Sequence, residues 1–139
     1  MNRATLPPGA NIGGQYSILI IDSGVDTTHS LLKTASIETF AFQSDGPPLL
    51  ESGVDEFGHG TAIAGLIHAI SPDTIIHSLR VFGRSLTAQS QTVLAALSWG
   101  IAQGYPIINC SFGTTERQLL PAFKSLVDAA YRRKQMRRE

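Results

Sequence analysis

The sequence runs to 139 residues with 42% hydrophobic content, enough to bury the core of one domain and too apolar for a disordered chain. Charge balances to zero but unevenly: residues 132–139 hold five basic residues and one acidic, against six basic and ten acidic in residues 1–131. A single cysteine, Cys110, excludes a disulfide-stapled secreted scaffold.

Residues 1–15 are read as an N-terminal extension. Met1–Gly9 lacks the apolar core of a signal peptide, and no run reaches the ~18 residues of a membrane-spanning helix. The chain as written is therefore expected to be soluble, unsecreted and cytoplasmic by default, with no membrane partner. Ser17–Ile21, almost continuously apolar and β-branched, predicts a strand covered on both faces, and Asp22 stands at its carboxyl end. A polar loop follows, with a short edge strand near Ser36–Phe42 and a break at Ser44-Asp45-Gly46-Pro47-Pro48.

Residues 60–70 predict a helix ended near Ser71-Pro72, and Thr74–Phe82 the next strand. In Gln89–Gln103, Val93, Leu94, Leu97, Ile101 and Ala102 recur at close to helical spacing, with Gly104 placed as the C-terminal cap. Pro106–Cys110 returns to strand, and Ser111-Phe112-Gly113 turns out of it. A last helix is expected over Arg117–Tyr131, with Pro121 in its first turn. Residues 132–139 are read as a solvated basic tail, not as a nucleic-acid or membrane contact. The alternation predicts an α/β domain over residues 16–131, three-layered, with a mainly parallel sheet flanked by helices. Such sheets carry functional groups at the carboxyl ends of their strands, where Asp22 lies.

Two short motifs sit at element boundaries: Asp22-Ser23-Gly24-Val25 closes the first strand, and Gly58-His59-Gly60-Thr61 opens the first helix. An aspartate after an apolar strand is by itself as ordinary as a helix cap or a phosphate contact. With Ile107-Ile108-Asn109-Cys110-Ser111-Phe112-Gly113 as a third motif in order, the sequence from about Tyr16 to Tyr131 resembles the N-terminal part of a subtilisin-like serine protease (subtilase, peptidase S8) catalytic domain, an incomplete version of that fold. The resemblance implies that Asp22 is the triad aspartate, that His59 is the general base, and that Ser111, Phe112 and Gly113 bind an extended peptide or protein substrate as an added strand. It also implies that the glycines flanking His59 allow close backbone approach.

The chain departs from the family pattern at three places. Ala62 replaces a histidine frequent after Gly-Thr. Leu31 stands where calcium-binding members carry a carboxylate, so neither that metal nor another cofactor is expected. The 139 residues reach neither the strand with the oxyanion-hole Asn nor the Gly-Thr-Ser segment with the nucleophile, so the expectation is a domain truncated before both, inactive alone, with a separate C-terminal half as partner. Two alternatives stay open: a non-catalytic remnant or peptide-binding module, and a phosphate binder using Asp22–Thr28, which leaves the His59 and Ser111 motifs unexplained and lacks a P-loop. Asp55 and Glu56 read as a solvated loop near His59, His68 and His77 as packing or surface residues, His29 as structural, and Cys110 as a buried small hydrophobe.

Overall fold

The structure, a computed structural model, describes residues 16–83 and 90–110, and beyond them residues 121, 122, 124, 125, 127, 128 and 132, all helical. In β1 (Ser17–Asp22), Leu19 and Ile21 enter one apolar cluster while Ile18 and Ile20 enter another, so both faces of this strand need cover. The cover comes from two helices, α1 (His59–Ile70) on one face and α2 (Ser90–Gln103) on the other. Between them lies a five-stranded sheet, β3-β2-β4-β1-β5, built with β2 (Ser36–Ala41), β3 (Leu49–Leu50), β4 (Ile75–Arg80) and β5 (Ile107–Cys110). All pairings are parallel except that of β2 with β3. The predicted three-layer α/β architecture is present.

One strand sits elsewhere than expected. Ser36–Ala41 is internal, parallel to β4 through six residue pairs and covered on its outer side by β3. Phe40 and Thr39 are buried accordingly. The two-residue β3 is too short to show as a pattern in sequence, which is why its neighbour looked like an edge. A 3-10 turn, Ser30–Leu32, also escaped prediction; His29 caps it by accepting the Leu31 N–H on Nδ1, a structural role.

On α2, the residues closest to the sheet are small. Ala96 and Gly100 are buried beside Val93, and a Cβ built on Gly100 would lie 2.6 Å from Leu19 Cδ2. Helical spacing of large side chains could not reveal that contact line. Gly104 ends the helix as expected, with φ +84° and its N–H on the Ile101 carbonyl.

His77 of β4 is packed between Phe40 and Tyr105, its Nδ1 2.7 Å from the Tyr105 hydroxyl. Burial pushes the His77 pKa down, with Glu38 opposing in part, and burial pushes the Tyr105 hydroxyl up. Unfolding therefore exposes an imidazole that binds a proton more readily than the folded one. Its contribution to stability is complete above the unfolded value of 6.5 and declines as pH falls through that value toward the lower folded one. We expect the urea midpoint to fall between about pH 7 and about pH 5, and His77→Leu to flatten that slope. An unchanged slope in the variant would mean that other groups carry it.

Candidate active site

β1 delivers Asp22 to the C-terminal edge of the sheet, where its carbonyl oxygen accepts the N–H groups of Val81 and Phe82. The side chain is wholly buried. Oδ1 accepts the Ser23 N–H at 2.7 Å, and Oδ2 lies 2.7 Å from His59 Nδ1. A carboxylate on Nδ1 selects the tautomer with its proton there, leaving the Nε2 lone pair free to take another. The His59 side chain is 34% exposed, so Nε2 belongs to a ring that solvent or a ligand can approach.

His59 is the first residue of α1, and the glycines on either side act differently. Gly58 has φ +101° and space around its Cα, so it serves the left-handed turn into the helix. Gly60 provides the close approach expected of both: a Cβ there would lie 2.0 Å from the Gly24 carbonyl oxygen. Gly24, at φ +102°, is pressed equally tightly against Val54.

Asp55 corrects the sequence reading. Half-buried rather than solvated, it spends both carboxylate oxygens on the two motifs. Oδ1 accepts from Ser23 Oγ at 2.8 Å and Gly58 N–H at 2.7 Å; Oδ2 accepts from Thr61 N–H at 2.9 Å and from the Thr61 hydroxyl. Ser23 Oγ in turn accepts the Gly60 N–H. Burial alone would push the Asp55 pKa up, but the hydrogen bonds from Thr61, Gly58 and Ser23 outweigh it and hold it below the usual carboxylate value. The sequence signal was an acid three residues before a glycine at a helix start, a spacing that suits a carboxylate receiving orphan helix N–H groups. Glu56 is exposed, as read.

Other site expectations sort as follows. Asp26 Oδ1 accepts both the N–H and the hydroxyl of Thr28, so these donors turn inward instead of toward a phosphate. Cys110 pairs in register with Ile21, one residue before Asp22, and burial followed by the charge of Asp22 pushes its thiol up to about 12, away from nucleophilic use. His68 places Nε2 3.0 Å from the Thr34 hydroxyl on the surface of α1. Ser111, Phe112 and Gly113 lie outside the described residues, as do residues 1–15, residues 133–139 and much of the last expected helix. Among the described residues, no group of three or more His, Cys, Asp or Glu is arranged to hold a metal ion, and no helix is long and apolar enough to cross a membrane.

Comparison with known proteins gives one consistent result. The model of the subtilase family matches residues 13–138. The minor extracellular protease Epr of Bacillus subtilis is 29% identical over 112 residues, covering 74% of this chain and 16% of the relative. The subtilisin-like protease het-Q2 of Podospora anserina is 40% identical over 91 residues, 60% of this chain and 25% of the relative. Subtilisin DY of Bacillus licheniformis is 25% identical over 132 residues, 86% of this chain and 44% of the relative. Among solved structures, a lanthipeptide protease superposes with a TM-score of 0.67 at 29% identity, over 83% of this chain and 35% of that one. A cold-adapted subtilisin-like serine proteinase shares the fold at a TM-score of 0.64 and 20% identity. The chain thus spans less than half the length of each of these curated relatives.

Proposed function

The chain belongs to the subtilase family, and on that premise we propose that Asp22 and His59 form the proton-handling half of a serine-endopeptidase site. The observation that carries this reading is the 2.7 Å contact of His59 Nδ1 with a fully buried Asp22 carboxylate, at the carboxyl end of a parallel strand. In this reading the hydroxyl nucleophile and the oxyanion-hole donor belong to a C-terminal subtilase half, continuous with these residues or on a separate chain.

In the reaction, the serine Oγ attacks the carbonyl carbon of a peptide bond while His59 Nε2 takes its proton. Asp22 holds the ring in the required tautomer and stabilises the imidazolium that forms. Collapse of the tetrahedral intermediate breaks the C–N bond, and His59 returns the proton to the departing amine. Water then attacks the acyl ester, giving a proton to His59, and collapse of the second tetrahedral intermediate breaks the ester C–O bond as His59 returns that proton to the serine Oγ, releasing the acid. The substrate is a peptide or protein segment in extended form, with Ser111, Phe112 and Gly113 as its backbone contact. No cofactor enters the sequence of steps.

The test is labelling by a fluorophosphonate probe, applied to the 139-residue chain alone and after co-expression with a subtilase C-terminal half that supplies the Asn and Ser. Labelling of the assembled pair that disappears on Asp22→Asn is expected. An assembled pair that stays unlabelled would favour a non-catalytic peptide-binding remnant instead.

A further inference from the structure

Arg80 is the residue of β4 paired in register with Asp22. Neighbouring strands lie about 4.8 Å apart and register partners project to the same face, so the Arg80 stem starts directly beside the catalytic carboxylate. It also passes the turn that follows Asp22: Arg80 Cδ lies 3.0 Å from where a Cβ on Gly24 would be. A guanidinium within reach of a buried carboxylate ordinarily takes it in a two-pronged ion pair. Such a pair would occupy the oxygens that His59 and the Ser23 N–H use.

Arg80 does not pair with Asp22. Its Nε lies 2.9 Å from both carboxylate oxygens of Glu51, and Nη2 lies 2.9 Å from Oε1. Glu51 follows β3, and its backbone is clamped to β2, accepting the Thr39 hydroxyl on its carbonyl and donating its N–H to the Thr39 carbonyl. In the sheet order β3-β2-β4-β1, Glu51 therefore approaches Arg80 from the side opposite Asp22.

We propose that Glu51 is a positioning residue that holds the Arg80 guanidinium away from Asp22 and so reserves that carboxylate for His59. The inference rests on the catalytic reading of Asp22 and His59, but its test does not require turnover. The ion pair is largely covered, with Arg80 35% and Glu51 17% exposed, and the effect assigned to it is on which cation Asp22 meets.

The test uses the 139-residue chain with 15N-labelled histidine and follows the low-field proton on His59 Nδ1, assigned by its loss in Asp22→Asn. The parent and Arg80→Met are expected to show the resonance. Glu51→Gln is expected to lose at least half its intensity while the circular dichroism spectrum is kept, and Glu51→Gln with Arg80→Met is expected to regain it. A resonance undiminished in folded Glu51→Gln overturns the proposal, as does a double variant that lacks it. If Glu51→Gln unfolds, the double variant decides: a folded chain with the resonance supports the proposal, and unfolding of both makes Glu51 a packing residue and overturns it. Resonances that behave as expected in an assembled pair without protease activity would sink the catalytic reading and leave this assignment standing. A parent chain with no resonance would sink both.

Discussion

Replacing His59 by alanine in the assembled pair is expected to lower kcat by about 10⁵ to 10⁶ with KM within a few-fold, a scale taken from subtilisin, the family's namesake. The size follows from what one ring does. With Nδ1 committed to Asp22, the proposed mechanism makes His59 Nε2 the acceptor for the serine proton, the donor to the leaving amine, and the acceptor and donor again in deacylation. Without it the hydroxyl must attack at its own high pKa, and the residual rate is what binding and the oxyanion hole supply. KM changes little because the imidazole contributes to the transition state and not to holding the peptide backbone. Steady-state hydrolysis of a fluorogenic peptide measures it, with active-site titration fixing the enzyme concentration. A variant within tenfold of the parent would show that some other group takes the proton.

Gly60→Ala is expected to destabilise the fold by about 3 kcal/mol or more, the upper range for forced overpacking. The added Cβ would sit 2.0 Å from the Gly24 carbonyl oxygen, with the Gly24 carbonyl carbon and nitrogen at 3.1 and 3.2 Å. These are backbone atoms of a turn already wedged against Val54, so no flexible side chain can yield. The strain falls on the start of α1 and displaces His59 from Asp22. Gly58→Ala is the contrasting control, because a Cβ there meets nothing and only the positive φ opposes it, at about 1–2 kcal/mol. Urea midpoints of the two variants compare them directly. A Gly60→Ala chain as stable as the parent would mean that helix and turn are not locked as the distances indicate.

Where large apolar side chains repeat, the fold was legible in the sequence. The run at Ser17–Ile21 and the periodic Val93, Leu97 and Ile101 placed β1 and α2 to within a residue or two. Ala96 and Gly100 carry the closest helix-to-sheet contact and were missed, because a hydrophobic pattern weights bulk and this interface works by its absence. Asp22 and His59 were legible because two short motifs flank strand and helix ends. Asp55 and Glu51 were not: an acid in a polar loop looks solvated until its partners, six and twenty-nine residues away, are brought beside it. The interior position of β2 was hidden for a related reason, since its cover is a two-residue strand.

The compass of the Asp55 network has a consequence for the order in which the molecule is made. Asp22 and His59 are 37 residues apart, and the groups that hold them, Ser23, Asp55, Gly60 and Thr61, all fall between residues 22 and 61. The strand that flanks β1 beside them ends at Arg80. During synthesis these residues emerge from the ribosome as one contiguous stretch, ahead of β5, which pairs with β1 on its other side. In the proposed reading, the contacts that orient the base all lie within that one stretch, and none of them waits on the polypeptide that brings the nucleophile.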